Sequence, residues 1–181
     1  MNTQGKYTIK RYHDNGQLQT EENYKDGELG GLGVIRDGLA KAWYEDGQLE
    51  LEENYKDDEL DGLAKYWWEN GQLAVEVNYK DGKENELRKG WFEDGQLCYE
   101  ANYKDGELEG LVKTWWENGQ LQGESNYKDD ELDGLGKYWH ENGQLKEEVI
   151  YKDSKPNGLY RKWYDNGQLK FEVNYKNGEL A

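Results

Sequence analysis

The sequence is poor in cysteine, in long apolar runs and in positive charge, and each shortage argues against a class of structure or partner. Cys98 is the single cysteine in 181 residues, so no internal disulfide can form. No apolar run approaches the roughly 18 residues of a membrane-spanning helix. The first ten residues also lack the apolar segment of a secretory signal. We therefore expect a cytoplasmic protein without membrane insertion.

Negative charge dominates the composition of the chain. The chain has 39 acidic and 23 basic residues, and its formal net charge is −16. Nucleic acids and anionic membranes both attract basic surfaces, so neither is an expected partner. The charge favours a basic protein partner, or serves solubility alone. An apolar content of 34% would by itself favour disorder, but 8 Trp and 15 Tyr at fixed spacing predict a folded chain.

An internal repeat explains that spacing. Its anchor is [Asn/Asp]-Gly-Gln-Leu, preceded by an aromatic residue four positions before the glycine and followed by Tyr-Lys eight positions after it. The last six glycines are 24 residues apart, whereas the first gap is 31 residues. The first repeat has Gly16 and Tyr12 at these positions, and the later repeats have Gly47, Gly71, Gly95, Gly119, Gly143 and Gly167 with Trp43, Trp67, Trp91, Trp115, Trp139 and Trp163.

The spacing predicts one repeat domain, 1–181, made of seven repeats with an insertion at 30–36. Each repeat is expected to be a strand, a tight turn, a second strand and a looser link, because Asn-Gly between strand-like runs is a strong hairpin signal. The fold class is all-β: an elongated, twisted, solenoid-like antiparallel sheet of about fourteen strands. The repeats span approximately 7–29, 38–60, 62–84, 86–108, 110–132, 134–156 and 158–180.

Two registers are open for each hairpin. A two-residue type I′ turn at Asn70-Gly71 places Lys65 opposite Glu76, and the same rule gives a basic–acidic pair in all seven repeats. A three-residue turn with a glycine bulge instead places Trp67 opposite Leu73, which gathers the repeated apolar residues on one face. The seven predicted pairs are Lys10–Glu21, Lys41–Glu52, Lys65–Glu76, Lys89–Glu100, Lys113–Glu124, Lys137–Glu148 and Arg161–Glu172.

The composite motif Gly-Leu-x-Lys-x-Trp-Trp-Glu-Asn-Gly-Gln-Leu-x-x-Glu-x-Asn-Tyr-Lys-Asp-Gly resembles the bacterial variant of the MORN repeat, from about Tyr7 to Leu180. The resemblance implies an elongated antiparallel sheet of hairpins. Many bacterial members of that family are labelled YwqK-type antitoxins, and MORN repeats more broadly serve as scaffolds. The chain departs from the pattern at Glu86, where other repeats have glycine, so that link is expected to differ.

Residues that could perform catalysis are few and occupy repeat positions. His13 and His140 share one position, where other repeats have another aromatic residue, so we interpret them as substitutes for an aromatic ring. Ser125, Ser154 and Cys98 have no neighbours in sequence that would activate a nucleophile. The carboxylates of Glu76, Glu100 and Glu124 resemble paired glycosidase acids, but each already has a predicted lysine partner. We expect no enzymatic activity and no cofactor.

Acidic residues concentrate in the links between hairpins. Those of 57–61 and 129–133 alternate before a glycine as in calcium loops, but the twelfth position is Trp68 or His140 instead of glutamate. A solvated acidic link is the simpler interpretation, and we predict no metal site. The candidate partner-binding residues are Asp57, Asp58, Glu59, Asp61, Glu84, Glu86, Glu107, Glu109, Asp129, Asp130, Glu131 and Asp133.

Three functions fit these observations. The first is an antitoxin or immunity-type protein that holds a basic protein, such as a toxin, through the acidic links. The second is a scaffold that self-associates through unlike end strands: the first has Thr8, Lys10 and Arg11, and the last Leu169, Phe171, Val173 and Tyr175. The third is an aromatic ladder that recognises carbohydrate or a membrane surface, which the acidity disfavours.

Overall fold

The computed structural model describes residues 5–27 and 33–181, and every element in them is a β-strand. This confirms the all-β hairpin fold, with seventeen strands in the described residues where about fourteen were expected. The strands are β1 (Lys6–Tyr12), β2 (Leu18–Asp26), β3 (Val34–Trp43), β4 (Leu49–Lys56), β5 (Glu59–Leu60), β6 (Gly62–Trp67), β7 (Leu73–Lys80), β8 (Lys83–Trp91), β9 (Leu97–Lys104), β10 (Glu107–Leu108), β11 (Gly110–Trp115), β12 (Leu121–Lys128), β13 (Glu131–Trp139), β14 (Leu145–Lys152), β15 (Lys155–Trp163), β16 (Leu169–Lys176) and β17 (Glu179–Leu180).

The chain forms two compact units, in which strands pair antiparallel with their neighbours in sequence. Among described residues the first unit contains 5–27, 33–86 and 93–95, and the second contains 87–92 and 96–181. In the first, β1, β2, β3, β4, β6 and β7 pair in that order. In the second, β9 pairs with β11, and β11 to β16 follow in order. The three two-residue strands β5, β10 and β17 pair with β4, β9 and β16.

The hairpin turns combine both expected registers. In the third repeat, Trp68 and Gln72 close a three-residue loop, and Gly71 has a φ of +80°. Trp67 therefore faces Leu73, as the three-residue alternative predicts, and the two-residue type I′ turn at Asn70-Gly71 is wrong. Ala74 is then an extra residue of a bulge, which restores the Tyr66–Val75 and Lys65–Glu76 pairs.

The links, expected to be loose, are the true type I′ turns. Lys56 pairs with Glu59, and the intervening Asp57 and Asp58 have φ angles of +54° and +67°. Positive φ at both central residues defines a type I′ turn, whose twist matches that of paired strands. Because the links turn tightly, their flanking residues extend the ladder, which accounts for the additional short strands. The same pair of positive φ angles recurs at 81–82, 105–106, 129–130, 153–154 and 177–178.

The predicted basic–acidic pairs form a charge ladder on one face of each compact unit. Six of the seven face each other directly, and Lys89 Nζ lies 3.6 Å from a Glu100 carboxylate oxygen. Neighbouring repeats also align opposite charges, at Glu21–Lys41, Glu52–Lys65, Glu100–Lys113, Glu124–Lys137 and Glu148–Arg161. An inner member of the ladder, such as Lys137, therefore faces a carboxylate on each side.

The opposite face buries small residues beneath tyrosines. Ala64 is fully buried and Val77, which faces it, is nearly so. A Cβ built on Gly136 would lie 3.1 Å from Tyr151 Cε2 and 3.4 Å from Tyr138 Cε2, so both rings pack against the glycine backbone. Tyrosine rings packed on small residues thus contribute apolar burial in a chain of low aliphatic content.

The predicted insertion at 30–36 lies partly outside the described residues. Its described part is Gly33 to Arg36, and β3 begins within it, at Val34. No helix in the described ranges could span a membrane.

Candidate functional site

The acidic links of the second compact unit lie against each other. Asp130 N donates to Leu108 O at 3.2 Å, and Leu108 N donates to Asp130 Oδ1 at 2.7 Å. Asp129 N donates to Glu109 Oε2 at 3.4 Å. These contacts place one link turn on the preceding one and bring five exposed carboxylates to one edge. We name this set the link cluster; it comprises Glu107, Glu109, Asp129, Asp130 and Glu131.

Members of the link cluster differ in the contacts that their carboxylates make. Asp130 is engaged by the Leu108 amide, so its carboxylate holds two repeats together. Glu107 and Glu131 are exposed, but each faces a lysine across its strand pair, Lys104 and Lys128. The edge is therefore a row of carboxylates bordered by lysines.

The remaining candidate acids participate in similar contacts. In the first compact unit, Lys25 Nζ lies 2.5 Å from Asp57 Oδ1 and 2.6 Å from Asp37 Oδ2, and these two carboxylates raise the pKa of Lys25. Asp58 Oδ1 accepts the Arg36 amide at 2.7 Å. Exposed Glu59 faces Lys56, as Glu107 faces Lys104 in the other unit.

Four further candidate acids are Asp61, Glu84, Glu86 and Asp133. Asp133 Oδ2 binds Lys152 Nζ at 3.0 Å, whereas Asp61 and Glu84 are half-buried. Glu86 has a φ of +67°, so it adopts the left-handed backbone that glycine has in other repeats. The expected difference in this link is thus one of strain.

The hairpin turns stack through side-chain amides. Asn70 Oδ1 accepts the Gln72 amide at 2.9 Å, and Asn70 Nδ2 donates to Glu93 O of the following turn at 2.6 Å. Asn15, Asn118 and Asn142 make the same pair of bonds. Asp46 cannot donate, and there Gln48 Nε2 donates to Glu69 O instead, at 2.8 Å. Gln96 makes the corresponding bond to Glu117 O at 3.1 Å.

In several hairpins the residue after the repeated Tyr12 or tryptophan also bonds to the following repeat. His13 Nε2 and His140 Nε2 lie 2.8 and 3.3 Å from the carbonyl oxygens of Trp43 and Trp163. Tyr44 OH donates to Trp67 O at 2.7 Å. The two histidines therefore stand at a position where a ring carrying a donor holds the next repeat, which agrees with their interpretation as aromatic substitutes.

Two grooves lie along the hairpin turns of the second compact unit, and sequence reasoning did not anticipate either. The first groove has a volume of about 630 Å³ and the second about 370 Å³. Trp116 and Glu141 line both. The first groove is lined by Phe92, Trp115, Trp116, Glu117, Asn118, Gln122 and Glu141, and the second by Trp116, His140, Glu141, Asn142, Lys146 and Asp165. Each groove combines aromatic rings with carboxylates, and the two grooves lie one repeat apart.

The potential nucleophiles have contacts or surroundings that are typical of structural residues. Ser125 Oγ is buried and donates to Tyr138 OH at 2.8 Å, and Ser154 Oγ accepts the Leu132 amide at 3.1 Å. Burial raises the pKa of the Cys98 thiol, which disfavours the reactive thiolate. Residues 5–27 and 33–181 contain no cluster of three or more His, Cys, Asp or Glu side chains that could hold a metal ion.

Comparison with known proteins identifies the repeat. A family described as MORN repeat variant matches seven segments, at 8–26, 36–57, 60–81, 87–105, 108–129, 132–153 and 156–177. No curated protein matches the chain. The crystal structure of a protein of unknown function from Bacteroides fragilis NCTC 9343 is 10% identical and covers 96% of this chain and 94% of its own, with a TM-score of 0.21.

Proposed function

Since the chain belongs to the MORN repeat variant family, we propose that it is a non-enzymatic module that binds a basic protein in the cytoplasm, as an antitoxin or immunity protein does. The observation that carries the proposal is the link cluster. Hydrogen bonds between successive links hold its exposed carboxylates at one edge, in a chain of net charge −16. A fixed row of like charges attracts a cationic surface and accelerates its association.

Absence of catalysis is supported by where the reactive side chains lie. His13 and His140 bond to backbone carbonyls, Ser125 and Ser154 to neighbouring strands, and the Cys98 thiol has a raised pKa. A general base needs to reach a substrate proton, and a nucleophile needs a base within hydrogen-bond distance. These contacts hold repeats together instead.

The proposal is tested by neutralising the link cluster. The native partner is captured from the cell, identified by mass spectrometry and purified, and its association rate is measured at several salt concentrations. The variant Glu107→Gln/Asp129→Asn/Glu131→Gln should associate about tenfold more slowly at low salt and depend less on salt. The matched control, Glu45→Gln/Glu69→Gln/Glu93→Gln, changes the net charge equally at exposed hairpin-turn positions and should remain close to wild type. An acidic partner, or an association rate indifferent to salt, would contradict the proposal.

A second candidate function, self-association through end strands, is favoured by β16. Among the described residues, Leu169–Val173 pair only with β15, whereas Asn174 O also accepts the Ala181 amide, and Leu169 is 51% exposed. An edge of this kind can accept another strand. Light scattering over a range of concentrations separates the two candidates: a mass that rises with concentration supports assembly, and a constant monomer mass removes it.

A further inference from the structure

Six of the hairpins show one residue in a bulge after the turn, and its identity changes along the chain. In the third repeat this is Ala74, between the Trp67–Leu73 and Tyr66–Val75 pairs. We call it the bulge residue. The bulge residues seen in the strand pairs are Gln19, Glu50, Ala74, Gln122, Lys146 and Lys170.

In the last two repeats the bulge residue is a lysine beside aromatic rings. Lys170 Nζ lies 5.3 Å from the centroid of the Tyr164 ring, within the range of a cation–π contact. Lys146 lines the second groove together with Trp116, His140 and Glu141. A bulge lysine can therefore place its ammonium group against the aromatic ring beside the turn.

The first groove has the same construction without the lysine. Its bulge residue is the neutral Gln122, its walls include Phe92 and Trp116, and Glu117 and Glu141 supply carboxylates. Within residues 5–27 and 33–181 neither carboxylate makes an ion pair. Tryptophan is the side chain that attracts cations most strongly through its ring face. The first groove thus has the aromatic and acidic groups of a cation site, whereas the second groove contains Lys146 of the chain itself.

We propose that the first groove binds the ammonium group of a lysine side chain presented by the basic protein partner. The incoming lysine would occupy the place that Lys146 takes in the second groove, with its ammonium over the Trp116 ring and near Glu141. This inference rests on the proposed function and specifies one contact within it. It concerns the hairpin-turn side of the repeats, whereas the link cluster lies at the links.

The binding test uses a capped Gly-Gly-Lys-Gly-Gly peptide at physiological salt, where long-range attraction to the acidic chain is screened. The indole N–H of Trp116, which donates to Trp139 O at 3.4 Å, is followed by NMR and assigned with the variant Trp116→Phe. A saturable shift with the lysine peptide, absent with its Nε-acetyl-lysine counterpart, is expected because acetylation removes the charge. Equal shifts with both peptides, or stronger binding of the arginine counterpart, would overturn the choice of lysine.

Variants at the bulge position separate a groove from a general charge effect. Gln122→Lys gives this groove its own lysine and should weaken peptide binding about tenfold. Gln19→Lys changes the net charge equally at the bulge position of the first repeat and should leave binding within about twofold of wild type. Lys146→Gln should open the second groove and shift a second set of resonances at His140. If Gln122→Lys and Gln19→Lys weaken binding equally, the groove is not the site.

The two proposals fail separately. Loss of the peptide response with retained, salt-dependent association of the native partner would remove the lysine groove and keep the link cluster. In the opposite outcome, Gln122→Lys abolishes peptide binding, but neutralising the link cluster leaves association with the native partner unchanged. That outcome would keep the lysine groove and remove the link cluster as the binding site.

Discussion

The side-chain amide of Asn70 donates a 2.6 Å hydrogen bond to the backbone carbonyl of Glu93, from one hairpin turn to the next. The bond joins residues 23 positions apart, nearly one repeat length. It shows why the turn position is Asn in most repeats: Oδ1 caps the local turn while Nδ2 fastens the following one. Where the residue is Asp46 or Asp94, the next glutamine supplies the donor.

The backup donor can be tested at Asn118 and Gln120. Asn118→Asp removes the donor to Glu141 O, and we expect a loss of less than about 0.5 kcal/mol in the free energy of unfolding, because Gln120 can donate as Gln48 does. Gln120→Ala added to Asn118→Asp should bring the loss to about 1–2 kcal/mol, since the turn then has no donor. Chemical denaturation of both single variants and the double variant measures the coupling; strictly additive losses would contradict the exchange.

Two hairpin glycines separate backbone strain from crowding. Gly16 and Gly71 have φ angles of +85° and +80°, but a Cβ on Gly16 meets nothing within 4 Å, whereas one on Gly71 would clash with Gln48 Oε1. Gly16→Ala should cost about 1–2 kcal/mol from the left-handed backbone alone. Gly71→Ala should cost more, because Gln48 must also move and its bond to Glu69 O is disturbed. Equal losses in thermal or chemical unfolding would show that the glutamine yields freely.

Replacing Glu86 with glycine should stabilise the chain. Glu86 has a φ of +67°, and its bond from Asn78 Nδ2 is long, at 3.5 Å. Glu86→Gly relieves a left-handed conformation that disfavours L side chains by about 1–2 kcal/mol, partly offset by the greater freedom of glycine in the unfolded chain. We expect a net gain of about 0.5–1 kcal/mol in unfolding free energy. The control Glu84→Gly, at a residue without positive φ, should destabilise.

A charge swap distinguishes a continuous ladder from isolated pairs. Lys137→Glu/Glu148→Lys keeps the exchanged pair but sets position 137 against Glu124 and position 148 against Arg161. Arg161→Glu/Glu172→Arg near the chain end creates a single new repulsion, with Glu148. Each like-charge contact should cost about 0.2–1 kcal/mol, so the first swap should destabilise about twice as much as the second. Isolated pairs would make both swaps nearly neutral.

Alkaline pH should weaken the tyrosine face. Burial, and then hydrogen bonding to Glu53, raise the pKa of Tyr55 to about 12, and the pKa of Tyr66 is raised by the same causes. A phenol with a raised pKa favours folding while protonated, so this stability is intact below about pH 10, the pKa of a free tyrosine, and is lost as pH rises towards 12. Tyr55→Phe/Tyr66→Phe should flatten the fall in unfolding free energy between these pH values. An unchanged slope would assign the alkaline loss to other groups.

The Lys65–Glu76 pair was predicted from the sequence, whereas the turn that joins its two strands was not. Pairing follows from the alternation of side chains along two strands joined by a known loop, so six further pairs could be inferred from one. The turn that accompanies the pair could not be inferred, because Ala74 has no distinguishing chemistry and its bulge compensates for the additional loop residue. The link turns were missed, although Asp81-Gly82 and Asp105-Gly106 carry the Asp-Gly signal of a type I′ turn. At Asp58 the structure adds a contact between repeats, because its carboxylate accepts the Arg36 amide.

Sequence reasoning identified the acidic links as a candidate binding site, but the different contacts of their carboxylates could not be inferred from it. Asp130 binds Leu108, Asp133 binds Lys152, and Glu107 remains exposed, although all three have similar neighbours in the chain. The first groove was missed because its residues come from successive repeats, where Gln122 looks like any variable position. A signal was nevertheless present: the bulge position is Lys in the last two repeats and neutral in the one before.

The number of repeats, the hairpin in each and the basic–acidic pairs follow from the amino-acid sequence alone, because they depend on residues fewer than a dozen positions apart. The tightness of each turn, the contacts of each acidic residue and the positions of the grooves depend on how the repeats pack together. Those outcomes depend on hydrogen bonds and packing between repeats, such as Asn70 to Glu93, and a turn adopts the conformation that satisfies its neighbour as well as itself.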